Sequence, residues 1–332
     1  MNALRVVCLL IAPLLTDAFS TPRSIDRLPL LRGGNIPLNH KSHLQMFVES
    51  TELFNNGNLY QSIGIYTVTN AVGLLISLFS GSHKHLDLLG SGSFALAAIP
   101  TLLASSCHRV FLSSTAVIVW GTKLACFLCF RAFKLKRDER LEGMLSTYQG
   151  ATQFWTISLI WNIICSLPHI LGTTSSKSGS PITLSIGTVM YILGLFTETR
   201  ADIEKWIFKR HNPGKFCNIG LWNVSQHPNF FGNLLLWLGI LVMNSDSLVE
   251  PVDSTRSIFR IMWGYKRLIL SLLSPLFMWS LFNGQAKGDL TNSVQLATKK
   301  YGTDPAYEKY IGSTPLILPT SITSWFKSLF SL

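Results

Sequence analysis

The densest group of residues able to do chemistry lies between positions 198 and 232. Four charged residues recur there at helical spacing and would share one stripe of a helix: Glu198, Asp202, Lys205 and Lys209. A basic turn follows, with the polar members Arg210, Asn212 and Lys215. Its cations could hold the phosphates of an anionic ligand through charge and N–H donors. The alternative for the stripe is an ordinary interfacial helix with charges paired four residues apart.

Two short motifs complete this group, Gly220-Leu221-Trp222 and Gln226-His227-Pro228-Asn229. Pro228 suits the first turn of a helix, because the N–H that proline lacks would have no intrahelical partner there. His227 would then stand at a helix N-terminus, a position that favours anions. A single histidine at such a place is equally compatible with a hydrogen-bonded interfacial residue. Both interpretations stay open at this point.

The composition indicates which elements position these motifs. Of the 332 residues, 48% are hydrophobic and only 14% are charged, whereas soluble domains carry about 25% charged residues. This predicts an all-α, polytopic membrane helix bundle with the lipid bilayer as its partner. The net charge of +11 is divided among short clusters between apolar runs. That distribution favours loops beside membrane spans over a nucleic-acid-binding face.

Seven apolar segments follow the N-terminal region, and most approach the about 20 residues needed to cross about 30 Å of hydrocarbon. They are residues 62–80, 86–104, 110–130, 153–171, 182–199, 230–245 and 266–282. The second contains glycines and a proline and the sixth is short, so the prediction is six to seven spans. Most lysines and arginines lie in segments 81–85, 131–152, 200–229 and 283–332. This predicts that those segments face the cytosol or stroma.

The N-terminus reads as a sorting signal. Residues 1–18 have a basic start, a short apolar run and small residues before a cleavage point, as in a signal peptide. Residues 19–45 are basic and poor in acids, like a transit peptide, and the junction around Phe19 resembles bipartite plastid presequences of algae with secondary plastids. The alternatives are an uncleaved anchor, or a secretory signal followed by a disordered arm. The predicted location is therefore the endoplasmic reticulum or a plastid membrane.

Residues 183–245 resemble the DUF1295 family, the steroid 5-alpha-reductase C-terminal-like membrane proteins. The charged stripe from Glu198 to Lys205 and the run from Gly220 to Gly232 carry this resemblance. It extends to about residues 60–320, with the cofactor half at 183–320. The further matching elements are Trp120…Lys123, Phe154-Trp155, Ser166-Leu167-Pro168, Ser274-Pro275 and Tyr301-Gly302…Tyr307…Tyr310.

The resemblance implies a membrane reductase in which NADPH enters from the cytosolic side and reduces an activated C=C bond. The substrate would be a hydrophobic lipid- or sterol-like small molecule, and the hydride chemistry would belong to the cofactor. The residues expected at the cofactor are Glu198, Asp202, Lys205, Lys209, Arg210, Asn212, Lys215, Gly220, Leu221, Trp222, Gln226, His227 and Asn229. The candidates for catalysis are His227, Tyr307 and Tyr310.

The chain departs from the family pattern beside His227. Gln226 replaces an arginine and loses its charged fork, Phe230 replaces a tyrosine, and Asn233 replaces a glutamate. These changes favour a second hypothesis, a catalytically silent lipid-binding or scaffold membrane protein. A third is a methyltransferase like the isoprenylcysteine carboxyl methyltransferases, although their paired glutamates near the C-terminus are missing. The sequence indicates neither the substrate nor the oligomeric state.

Overall fold

The computed structural model describes residues 57–81, 85–134, 145, 147–175, 177–250, 264–290 and 293–331. Within these ranges the chain forms ten α-helices, two short 3-10 helices and no strand, so the predicted all-α class is confirmed. One compact unit covers Ser62–Leu332, and the contacts below belong to it. The predicted signal peptide (1–18) and transit-like segment (19–45) lie outside the described residues.

Seven helices correspond to the seven apolar segments. They are α1 (Gly57–Ser80), α2 (Leu86–Ala104), α3 (His108–Lys134), α4 (Tyr148–Thr173), α5 (Pro181–His211), α6 (Pro228–Asn244) and α7 (Lys266–Lys287). All except α6 are long and apolar enough to cross a membrane. The C-terminal region adds α8 (Ser293–Tyr301), α9 (Pro305–Ser313) and α10 (Ile322–Phe330).

Helices α5 and α6 form the closest pair in the bundle. Glycines line the seam between them, and a Cβ added at Gly239 would lie 2.6 Å from Tyr191 N. Such small residues let the backbones of membrane helices approach closely. At the end of this pair where α5 begins and α6 ends, Asp246 accepts hydrogen bonds from Ser180 N (2.6 Å) and Thr183 Oγ1 (2.7 Å). Helix α6 therefore returns the chain to the level at which α5 begins, although its 17 residues span only about 25 Å.

Helix α5 is much longer than its partner. Counted from Pro181, about 20 helical residues cover about 30 Å of hydrocarbon, which places the opposite boundary near Arg200. The helix nevertheless continues to His211, about 16 Å further. The polar stripe predicted this extension. The extended part of α5 carries the candidate site residues that follow Arg200 out of the bilayer core.

An aromatic cluster fills the middle of the bundle. The ring of Phe94 on α2 contacts Tyr66 (5.7 Å), Trp120 (5.0 Å), Trp161 (4.9 Å) and Trp237 (5.6 Å), measured between ring centroids. These rings come from α1, α3, α4 and α6. Trp120 also belongs to the candidate site described below, so the core and the site share this side chain.

A buried arginine ties together the end of the bundle that lies opposite the candidate site. Arg109 is fully buried and donates to Lys177 O (2.9 Å), Asn244 Oδ1 (2.5 Å) and Ser175 O (2.6 Å). Asn244 also donates to Ser113 Oγ (2.9 Å). Helices α3 and α6 and the loop before α5 are thereby held at one level, and the charge of the guanidinium is matched by three acceptors.

Candidate functional site

Glu198 is the centre of a buried group of polar side chains. Its carboxylate accepts hydrogen bonds from Trp120 Nε1 (3.1 Å), Lys123 Nζ (3.1 Å) and Asn233 Nδ2 (2.7 Å). Only 3% of the residue is exposed. A carboxylate at this depth is costly unless it is paired, and here three donors from α3 and α6 satisfy it.

Asp202 lies one turn further along α5 and continues the same arrangement. Lys123 Nζ is 3.6 Å from its Oδ2, and Asn229 Nδ2 donates to its Oδ1 at 3.3 Å. Two asparagines four residues apart on α6 therefore face two carboxylates four residues apart on α5. We call Lys123, Glu198, Asp202, Asn229 and Asn233 the carboxylate cluster.

Two acceptors of the carboxylate cluster have no partner. Asn229 Oδ1 and Asn233 Oδ1 are buried and accept no hydrogen bond. A buried acceptor without a partner costs about 1–3 kcal/mol, so a group with N–H donors would be stabilised here once a side-chain movement gave it access to these buried oxygens. Both oxygens belong to side chains whose amide nitrogens already donate to carboxylates.

The turn at Gly220 is anchored on α5 by Glu204. Leu221 N donates to Glu204 Oε2 (3.0 Å), and Trp222 Nε1 donates to Ala201 O (2.9 Å). Gly220 has φ of +54°, and a Cβ there would lie 2.7 Å from the Glu204 carboxylate oxygens. A side chain at this position would be strained by the backbone conformation, and it would displace the Glu204 carboxylate that anchors the turn.

Cationic side chains stand above this turn. The Lys205 ammonium lies 3.8 Å from the centroid of the Trp222 ring, a cation–π contact. Lys209 Nζ donates to Lys215 O (2.6 Å) and Tyr301 Oη (2.7 Å). Arg210 and Lys215 are exposed, and the bond from Lys209 to Lys215 O brings these two lysine positions together; the role of the basic residues in binding phosphate stays a prediction.

His227 is the residue that precedes α6, as the position of Pro228 predicted. Its ring stacks on Phe230 (4.9 Å between centroids, 10° between planes), and Phe230 stacks on Phe282 (4.5 Å, 10°). Burial, assisted by the charge of Lys205, lowers the pKa of His227 to about 3. This favours the neutral imidazole at pH 7, and the role of His227 as a catalytic residue stays a prediction.

Gln226 is committed to holding the C-terminal segment. Its Nε2 donates to Ile311 O (3.0 Å) and Thr314 O (2.6 Å), and its backbone N donates to Pro315 O (2.8 Å). The residue that replaces the expected arginine thus acts as a clamp for the chain after α9. Asn212 has a similarly local part, because its Nδ2 donates to Phe208 O (3.2 Å) at the end of α5.

Tyr307 and Tyr310 lie in an aromatic group around Phe216, with ring centroids 5.2 and 5.4 Å away. Tyr310 Oη donates to Trp222 O (2.8 Å). Burial raises the pKa of both tyrosines. The structure thus brings Tyr310 to the Trp222 turn and Tyr307 to Phe216, whereas Glu198, Asp202 and Asn229 meet in the carboxylate cluster. The role of Tyr307 and Tyr310 as proton donors remains a prediction.

The sequence reasoning missed five residues that complete the site. Trp120 and Lys123 entered only as family matches, although a lysine within the apolar segment 110–130 signals a buried partner. Asn233 was interpreted only as a departure from the family. Arg200 entered only as one of the positive charges and Glu204 only within the family-matching segment, although both position the Gly220 turn.

Helix α10 supports this turn from the other side. Arg200 Nε donates to Glu204 Oε1 (2.8 Å), and its other nitrogens donate to Leu329 O (2.5 Å) and to Ser331 O. Trp325 and Leu329 of α10 are buried in one cluster with Ala201, Cys217, Leu221 and Trp222. The extreme C-terminal helix is therefore part of the core on which the predicted site rests.

Together these features define a polytopic helical membrane protein with a buried, ion-paired pair of carboxylates beside a cationic surface. The family model described as "Protein of unknown function (DUF1295)" matches residues 73–314, and the chain belongs to this family. The match includes the carboxylate cluster and Tyr310, but it ends before α10. No curated protein and no solved structure matches the chain.

Proposed function

We propose that this protein is a membrane-embedded, NAD(P)H-dependent reductase of a C=C bond in a lipid- or sterol-like substrate. The observation that carries the proposal is the pair of unpartnered oxygens, Asn229 Oδ1 and Asn233 Oδ1. They lie in a buried cluster close to a cationic surface that faces the same end of the bundle. That combination suits a ligand with an amide donor at one end and phosphates at the other.

The residues present fit a nicotinamide dinucleotide in chemical terms. A carboxamide N–H would satisfy the oxygens of Asn229 and Asn233, and exposed cations such as Arg210 and Lys215 suit phosphates. When bound, the cofactor would supply the hydride. The role of the chain is to orient the ring, and the stacked rings of His227, Phe230 and Phe282 suit the exclusion of water.

A specific observation favours the alternative of a catalytically silent protein. Gln226 is occupied by backbone carbonyls of the C-terminal segment, and Phe230 has no hydroxyl to donate. A chain with these residues could keep the fold and bind a lipid without reducing it. The methyltransferase hypothesis has no comparable support among the described contacts.

Direct binding of NADPH separates these hypotheses. The purified protein in nanodiscs is titrated with NADPH and, separately, with S-adenosylmethionine. Asn229→Leu should weaken NADPH binding about tenfold, because one hydrogen bond contributes about 0.5–1.5 kcal/mol. The matched control is Asn223→Leu, an exposed asparagine in the turn after Gly220, which should leave binding unchanged.

The outcomes are distinct. Tight NADPH binding that depends on Asn229 supports the reductase, and comparison of lipids from cells with and without the protein should then reveal a species differing by two hydrogens. Binding of S-adenosylmethionine but not NADPH would support the methyltransferase. Binding of neither would leave the silent protein as the better account.

A further inference from the structure

The face of α5 that points away from the carboxylate cluster carries a groove of about 480 Å³. This volume lies within the about 300–1,000 Å³ of small-molecule sites. Its walls are mainly apolar, and the residues that define its course are Phe196, Arg200, Ile203, Ile207, His211 and Ile219. None of the carboxylate cluster residues lines it, so the groove is separate from that cluster; of the residues expected at the cofactor, Asn212 alone lies in its wall.

The groove begins within the hydrocarbon layer and ends beyond it. Phe196 lies on the bilayer side of the boundary near Arg200, and His211 lies about 22 Å further along the helix. Between them Ile203, Ile207 and Ile219 are 46%, 50% and 47% exposed. These isoleucines stand at the level of the headgroups or above, where contact of apolar surface with water is unfavourable.

Several polar groups of the wall already have partners within the protein. Arg200 binds Glu204, the carbonyl of Leu329 in α10 and that of Ser331 just after it, and His211 Nδ1 lies 3.0 Å from Ile207 O. An extended peptide in the groove would bring backbone N–H and C=O groups that these walls do not pair. A hydrocarbon chain brings none.

The entrance of the groove is continuous with the lipid-facing surface. Phe196 is 43% exposed, and its ring stacks on Phe330 of α10 (5.9 Å, 29°). Helix α10 turns Ile322 and Phe330 outward, as in helices that lie in the membrane interface. An acyl chain could therefore pass from the bilayer into the groove without leaving apolar surface.

The geometry points to a binding groove for the hydrocarbon chain of a membrane lipid, drawn up along α5 from Phe196 toward His211. The site does not depend on the proposed reductase function, because it uses the opposite face of the helix. The groove holds one hydrocarbon chain, and the polar end of that lipid lies near His211 and Asn212.

Photolabelling tests this site. The full chain is placed in phosphatidylcholine nanodiscs that contain a phospholipid with a diazirine near the ester end of one acyl chain, and labelled peptides are mapped by mass spectrometry. In the unaltered protein we expect labels in residues 203–219 as well as on the ordinary lipid-facing segment 182–192. Ile207→Trp fills the groove and should lower labelling of residues 203–219 about tenfold, the loss expected when about two methylene groups leave the groove.

The matched control is Ile192→Trp, which makes the same change on the same helix at similar exposure but outside the groove. It should leave labelling of residues 203–219 unchanged. Ile203→Trp repeats the filling at a second position, so a fold defect in one variant does not decide the result. Labelling of residues 203–219 that is absent, or that both filling variants leave unchanged, would overturn the proposal.

Discussion

Lys123 is expected to be the residue on which the carboxylate cluster depends. Its ammonium lies 3.1 Å from Glu198 and 3.6 Å from Asp202, and the three side chains are only 19%, 4% and 13% exposed. Lys123→Met keeps the length of the side chain and removes the charge. Removing one partner of a buried ion pair costs about 3–5 kcal/mol. Since Trp120 still donates to Glu198, we expect the lower end, a loss of about 3 kcal/mol.

The measurement is the free energy of unfolding of the detergent-solubilised protein. Glu198→Gln in the same chain removes one of the two negative charges left behind, so it should recover about 1–3 kcal/mol of the loss as coupling energy. Lys134→Met, an exposed lysine on the same helix, is the control and should change stability by less than about 0.5 kcal/mol. A loss below about 1 kcal/mol for Lys123→Met, or no recovery by Glu198→Gln, would refute the reasoning.

Three further predictions concern the helix seam, the loop before α5 and α10. Gly194→Ala should destabilise the protein by about 1–3 kcal/mol, because the new methyl group meets backbone of α6. Hydrogen bonds from Thr183 and the backbone of Ser180 lower the pKa of Asp246 in the folded protein. The ionised carboxylate therefore stabilises the folded protein at pH values above the pKa of an unfolded aspartate. This stabilisation is lost as the pH falls through the lower pKa of the folded state. Asp246→Asn should therefore flatten the stability profile in the acid range below about pH 5. Trp325→Ala should make buried Cys217 reactive toward a thiol reagent, as followed by peptide mapping.

Each of these predictions has a matched control. Gly64→Ala meets no atom within 4 Å and should be neutral, so an equal loss in both variants would exclude the helix seam as the cause. Asp289→Asn changes an exposed carboxylate and should leave the acid profile as it is. Phe330→Ala removes a mostly exposed ring of α10 and should leave Cys217 as unreactive toward the thiol reagent as it is in the unaltered chain. A protected Cys217 in Trp325→Ala would contradict the supporting role of α10.

The helices were largely predictable because hydropathy is a local property. The apolar segment 86–104 coincides with α2, and the polar stripe beginning at Glu198 predicted that α5 outlasts its membrane span. Pro228 predicted the first residue of α6 for a local reason too, its missing N–H. The family resemblance is confirmed by the match over residues 73–314, whereas the cofactor role of the residues around Glu198 stays a prediction.

The partners of the site residues were not predictable in the same way. Lys123 and Glu198 are 75 residues apart, and nothing local to either residue identifies the other. The meaning of Asn233 depended on the residue opposite: facing Glu198, an amide can donate where a glutamate would add a like charge. Gln226 likewise acquires its function only from the carbonyls of residues 311 and 314, which lie 85 and 88 residues later.

The buried guanidinium of Arg109 has a consequence for how the protein is made. Its amide partner, Asn244, is synthesised 135 residues later. At about 5–20 residues per second, the ribosome needs roughly 7 to 27 s to deliver it. During that delay only the carbonyls of Ser175 and Lys177 are present to accept from the guanidinium, so we expect α3 to be fixed at its final depth only when α6 supplies the third acceptor. A nascent chain that ends before α6 should therefore keep one guanidinium donor in contact with water.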